Sequence, residues 1–99
     1  MLTSMQESKL DTIDNSLSRL GLSDYCLQVN TDRWTINIYE KHNPIFMFEY
    51  TNMNGFNRAL TRLVLFLDSL LIADYIVDKK KGFNDFITSV MYSYKINFY

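Results

Sequence analysis

The chain has 99 residues, 47% of them hydrophobic and 21% charged, with a formal net charge of −1. That length makes one domain, residues 1–99, which buries roughly 60–70% of its unfolded surface. Near-neutrality argues against long-range capture of polyanions or anionic lipid, and one cysteine, Cys26, excludes an internal disulfide or a thiolate zinc site.

Ser4 and Glu7 have the S-x-x-E spacing of a capping box. Leu10, Ile13, Leu17 and Leu20 then recur at intervals of three and four, so the spacing predicts a helix over about residues 5–20. Gly21 is placed to end it in a left-handed conformation, with Leu22 closing onto Leu17. The period then drops to two. Tyr25, Leu27 and Val29 alternate with Cys26, Gln28 and Asn30; Trp34, Ile36 and Ile38 with Thr35, Asn37 and Tyr39; Phe46, Phe48 and Tyr50 with Ile45, Met47 and Glu49. Each run predicts a strand with one buried face. Asn30-Thr31-Asp32 and Lys41-His42-Asn43-Pro44 supply the turns, and such short connections force an antiparallel meander.

Asn52 or Asn54 can cap the next helix, with Gly55 at its start. Phe56, Leu60, Leu63, Leu67 and Leu70 form its inward stripe, while Arg58, Thr61, Arg62, Asp68 and Ser69 face outward. Leu65 and Ile72 fall among the outward positions, seven residues apart, and predict a second covered face on this helix. Lys79, Lys80, Lys81 and Gly82 are expected to end the same helix, at its negative pole. Phe83, Phe86, Ile87, Val90, Met91 and Tyr94 then predict a last helix to about residue 93, followed by an ordered or docked tail. The expected fold is therefore α+β in two layers: helix, three-stranded antiparallel meander, helix, helix.

The most apolar stretch, LVLFLDSLLIADYIV, is broken by Asp68, Ser69 and Asp74. It falls short of the about 20 residues that span a bilayer, so no membrane partner is expected. The opening MLTSMQESKLD lacks a basic segment followed by an apolar run, so no secretory signal is expected and a cytoplasmic setting fits. Phe, Tyr, Met, Ile, Asn and Lys supply 42 residues against 10 for Gly, Ala, Arg and Pro. That skew follows AT-rich codons, as in low-GC bacteria with their phages and plasmids.

Candidate chemistry is sparse. His42 and Cys26 could form a thiol–imidazole pair, but no third orienting group or oxyanion site accompanies them. One histidine and one cysteine also fall short of a metal site. Asp11 and Asp14 lie one turn apart on a solvated helix face, and Asp74, near the apolar stripe, needs a hydrogen-bond partner if buried. No phosphate loop, metal motif or nucleophile elbow occurs. The expectation is a non-enzyme without a cofactor. Aromatic side chains are plentiful instead, with Tyr92, Tyr94, Phe98 and Tyr99 in the last nine residues. Tyrosine and phenylalanine are characteristic of interface anchors.

Helix, three strands and helix over residues 5–75 resemble the double-stranded RNA-binding domain in element order. In that family a Gly-Pro-x-His loop and a lysine cluster opening the last helix touch the RNA. Here the loop reads Asn30-Thr31-Asp32-Arg33 and the helix opening offers Arg58 and Arg62, so the resemblance covers topology and lacks both motifs. Nucleic-acid association through Arg33, Arg58, Arg62, Lys79, Lys80 and Lys81 is accordingly the second reading. Across the whole chain, the helix–meander–helix–helix order is similar to small anti-CRISPR inhibitors and other phage counter-defence proteins. That resemblance implies a cofactor-free protein that binds host machinery stoichiometrically. The expected partner surfaces are Tyr39, Ile45 and Met47 on the sheet and Tyr92, Phe98 and Tyr99 in the tail, with a homodimer through Leu65 and Ile72.

Overall fold

The computed structural model describes residues 1–73 and 78–91. Its first helix, α1 (Ser4–Arg19), begins one residue earlier than the Ser4–Glu7 spacing predicts. Thr3 is the cap: Gln6 N donates to Thr3 Oγ1 at 3.1 Å, and Thr3 N donates to Gln6 Oε1 at 2.9 Å. Two capping boxes overlap in the sequence, and Gln6 decides between them. It is buried, and its Nε2 donates to Asn57 Oδ1 at 2.8 Å on a later helix. An amide can accept at the cap and donate across a seam, which the carboxylate of Glu7 cannot. At the other end Gly21 has φ 76°, Leu22 N donates to Leu17 O at 2.8 Å, and Gly21 N donates to Ser18 O at 3.1 Å. This is the expected Schellman closure.

Three strands follow, β1 (Tyr25–Asn30), β2 (Thr35–Glu40) and β3 (Asn43–Glu49), antiparallel in the order β1-β2-β3. The register aligns side chains in rows across the sheet. Leu27, Ile38 and Phe46 form one inner row; Val29, Ile36 and Phe48 form the next. These pack into a common core with Ile13 and Leu17 of α1. Trp34 does not open β2 as its alternation suggested. Its φ of 54° places it in the turn, while its ring still packs 5.3 Å from Phe56. The second turn is shorter than the four residues expected. Glu40 pairs with Asn43, leaving Lys41 and His42, both left-handed (φ 52° and 71°), as a two-residue loop. Two left-handed residues match the twist of a hairpin.

A register shift between Ile38 and Tyr39 corrects a further expectation. Ile38 pairs with Phe46 and Tyr39 with Pro44, so Ile45 is the extra residue of a bulge. Ile45 is half-buried against the core rather than standing in the outward row with Met47.

The long helix α2 (Met53–Ile72) is capped by Asn52, whose Oδ1 accepts from Gly55 N at 3.0 Å. Phe56, Leu60, Leu63 and Leu67 are fully buried, and Leu70 nearly so. The next correction concerns the lysines. Lys79, Lys80 and Lys81 open helix α3 (Lys79–Phe86), capped by Asp78, instead of closing α2. Lys79 nevertheless reaches back, its Nζ donating to Leu70 O at 2.9 Å and Ala73 O at 2.7 Å. It thus satisfies the end of α2 from the neighbouring helix.

After Phe86 the helix widens into one π-helical turn, Ile87–Met91. Thr88 Oγ1 donates to Asn84 O at 3.1 Å, and Ser89 Oγ to Asp85 O at 2.6 Å. Hydroxyls that compete for helix carbonyls favour such distortion. Phe83, Phe86 and Ile87 are buried as expected. Asp74 and the tail with Tyr92, Tyr94, Phe98 and Tyr99 lie outside the described residues.

Two stability measurements check this packing. By urea unfolding, Phe48→Ala loses about 3–5 kcal/mol, because a ring with no exposed surface leaves a cavity between sheet and helices. Replacing Lys41-His42 by Asn-Gly raises stability by about 1 kcal/mol, since those residues adopt the left-handed turn with less strain.

Candidate binding surfaces

The core rows of the sheet face the helices, so the alternate rows build the opposite face. They are Cys26, Tyr39 and Pro44; Gln28, Asn37 and Met47; and Asn30, Thr35 and Glu49. Cys26, Gln28, Asn30, Met47 and Glu49 are exposed, and Tyr39 and Asn37 half-buried. Met47 is 55% exposed. Tyr39 and Met47 are diagonal neighbours across β2 and β3, within reach of one another's long side chains. Of the predicted sheet patch, the structure therefore unites Tyr39 and Met47 and removes Ile45. Gln28 and Asn37 stand on this face as their alternation predicts, whereas Pro44 was missed, because only the bulge brings it beside Tyr39.

The middle of the face carries no charge, and the Arg33–Glu49 ion pair marks one end; the Lys80–Glu40 and Lys81–Asp85 pairs lie on the helix side of the sheet. Arg33 donates from Nε and Nη2 to Glu49 Oε2 at 3.3 and 3.1 Å. Lys80 Nζ lies 2.6 Å from Glu40 Oε2. Lys81 Nζ pairs with Asp85 Oδ2 one turn further on at 2.8 Å. Three lysines at a helix N-terminus are disfavoured by the dipole, and each is drawn away to a partner: Lys79 to the carbonyls of α2, Lys80 to β2, Lys81 to Asp85. Arg33, Lys79, Lys80 and Lys81 thus each have a partner within the chain. Arg58 and Arg62 are exposed and have no ion pair among the described residues.

The second surface lies between α2 and α3. Phe66 and Phe86 stack at 4.1 Å with a 10° interplanar angle. They floor a groove of about 430 Å³ edged by Arg62, Leu65, Ser69 and Asp85. Leu65 is 52% exposed and Ile72 80% exposed, so the second apolar stripe of α2 stands uncovered. Of the groove residues on α3, Phe86 was read from sequence as a core position, and the groove itself was not foreseen because it depends on how α3 packs against α2.

The third surface is a recess of about 410 Å³ lined by Ser23, Asp24, Cys26, Lys41 and His42. Strand pairing brings Cys26 and His42 to the lining of one recess. Asp24, however, is 3.9 Å from Lys41 Nζ rather than orienting the imidazole, and His42 is exposed on its turn. Among the described residues no three His, Cys, Asp or Glu side chains could hold a metal ion. No described helix is long and apolar enough to cross a membrane.

Two ionisable groups tie α3 to the sheet. Tyr25 OH donates to Asn84 Oδ1 at 3.2 Å, and its ring meets Phe83 edge-on at 5.1 Å. Burial raises the Tyr25 phenol above its ordinary 10.0. The hydrogen bond to Glu40 raises Lys80 above 10.5. On α1, Asp14 is raised above 3.8, first by burial and then by Asp11.

Comparison with known protein families, with curated proteins and with solved structures finds no significant match to this chain.

The alkaline limb of stability follows from these groups. Neutral Tyr25 and charged Lys80 are the forms the fold favours, so their contribution is complete below about pH 10 and is lost as pH rises through their raised values. Thermal melts from pH 8 to 11.5 should show this decline. Tyr25→Phe combined with Lys80→Met should flatten it, whereas an unchanged slope in that variant assigns the decline to other groups.

Proposed function

We propose that this chain is a non-catalytic binding protein that acts by occupying a surface on a larger protein of its host. The feature that carries this reading is the uncovered sheet face. Its centre is uncharged, holds Tyr39 and exposed Met47, and has the Arg33–Glu49 pair at one end. A centre depleted of charge is a feature of protein–protein interfaces. Tyrosine and methionine in such a centre make contact area with little charge to desolvate. At the recess of Cys26 and His42, Asp24 lies toward Lys41, and among the described residues no group is seen to orient the imidazole.

The composition and element order support a phage or mobile-element origin, with an inhibitor of host defence of the anti-CRISPR kind as the specific form. Near-neutral charge favours steric blocking or remodelling of the target over imitation of DNA. Action inside the host cytoplasm belongs to the same reading.

Affinity capture from lysate of the natural host, analysed by mass spectrometry, tests the proposal. The wild-type chain should enrich a stoichiometric partner that Tyr39→Ala plus Met47→Asp loses, with unfolding free energy of the variant within about 0.5 kcal/mol of wild type. Equal recovery with the variant counts against the sheet face. Titration with duplex RNA and DNA at two salt concentrations tests the nucleic-acid reading. Log-affinity falling with log-salt, by about 0.9 per phosphate contact on duplex DNA, supports phosphate contacts through residues such as Arg58 and Arg62.

A further inference from the structure

The two outer edges of the sheet differ. Lys41 N donates to Asp24 O at 2.9 Å, and along an antiparallel pair bonded and non-bonded positions alternate. Cys26, Gln28 and Asn30 therefore bond to β2, while Leu27 and Val29 turn their N–H and C=O groups outward. Among the described residues nothing bonds to those outward groups. On the other edge, β3 carries the usual defences against a further strand: Pro44, the bulge at Ile45, and Glu49 held by Arg33. β1 carries none of them. Its six residues hold no charge and no proline, and its pairing with β2 is regular throughout. An undefended edge is a template for another strand.

The side chains along this edge fix what that strand carries. Leu27 and Val29 end the two inner rows and are half-buried, whereas Ile36, Ile38 and Phe48 in the same rows have no exposed surface. Apolar residues on an added strand complete both rows. Beneath the edge lies α1, which packs against β1 and α2. Lys9 marks its α2 side, since Nζ donates to Thr61 Oγ1 at 2.7 Å. At 3.6 residues per turn, Glu7, Asp11 and Asp14 stand about 140–160° around the helix from Lys9, on the flank away from α2 and beneath the free edge. All three are exposed, and none has an ion pair among the described residues. Burial, and then Asp11, raise the Asp14 carboxyl above 3.8, as on a flank that lacks a counter-charge.

We propose that the β1 edge takes an extended segment of another protein as a fourth, antiparallel strand, with apolar residues opposite Leu27 and Val29 and basic residues over Glu7, Asp11 and Asp14. In such strand addition main-chain bonds supply affinity and the alternate side chains supply selection. A second copy of this chain is the wrong occupant. Paired strands lie about 4.8 Å apart while packed helices need about 8–10 Å. Two β1 edges brought together would crowd one α1 against the other and set their acidic flanks face to face. A single segment needs only the width of one strand. The edge is separate from the outer face that carries Tyr39 and Met47.

Amide NMR titration with a blocked heptapeptide, Lys-Thr-Val-Thr-Val-Thr-Lys, tests the edge, because its valines and lysines share one face. Shifts should centre on Leu27 and Val29, with half-saturation below about 1 mM. Methylating both valine nitrogens, which face β1 in the antiparallel pair, should abolish binding with the protein itself unchanged. Glutamate in place of both lysines should weaken binding at least about tenfold. Val29→Pro removes one outward donor, spares the bonds to β2 and should weaken binding by a similar factor; the methylated peptide decides the matter should that variant misfold. Tyr39→Ala plus Met47→Asp should bind the peptide as wild type does, so failure of the edge and failure of the outer face are read separately. No binding at about 5 mM peptide, indifference to valine methylation or to the glutamate exchange, or shifts centred on β3 or α2 overturns the proposal. So does a doubling of the 11.7 kDa mass in sedimentation equilibrium that Val29→Pro abolishes, which assigns the edge to a second copy.

Discussion

Everything in this fold leans on the buried side of α2. Its stripe from Phe56 to Leu70 has at most 1% exposure, and the inner rows of the sheet, α1 and α3 all join the same core. Each fully buried leucine or phenylalanine contributes roughly 1.5–3 kcal/mol of hydrophobic stabilisation, and no other element gathers so many. The surrounding polar bonds set positions around that stripe. Gln6 and Lys9 reach Asn57 and Thr61, so α1 lies alongside α2 in the same direction. Lys79 bonds the last carbonyls of α2 and Phe86 stacks on Phe66, which turns α3 back against it.

Concentrating the core on one side has a consequence for the outer surfaces. Three strands have two faces, and the helices occupy only one. Among the described residues the other face carries half-buried Tyr39 and Asn37 and exposed Met47 and Gln28. The far side of α2 is in the same position, with Leu65 and Ile72 uncovered. The two surfaces lie on different elements and face different directions from the core.

The element order, the Schellman end at Gly21, the buried stripe of α2 and the strand alternation were legible in the sequence because each rests on local periodicity or on a residue with one strong conformational habit. The misplacements have a common cause. Ser4–Glu7 and Thr3–Gln6 are equally good boxes locally, and only the contact from Gln6 to Asn57 chooses between them. The lysine run suits the end of one helix or the start of the next, and Asp78 together with Glu40 settles it from outside the run. Ile45 alternates correctly within its strand, but the bulge opposite Tyr39 displaces it toward the core. Of the candidate sites, Met47, Leu65 and Ile72 were visible as apolar residues on polar faces. The groove floor needed the antiparallel meeting of Phe66 and Phe86, which no single segment encodes.

The most direct measurement of the central role of α2 is native-state hydrogen exchange followed residue by residue. Amides from Leu60 to Leu67 should exchange only through global unfolding, with β2 close behind and the outer edges of β1 and β3 far less protected. If the α2 amides open well below the global unfolding free energy while the sheet stays closed, α2 is not what the fold depends on.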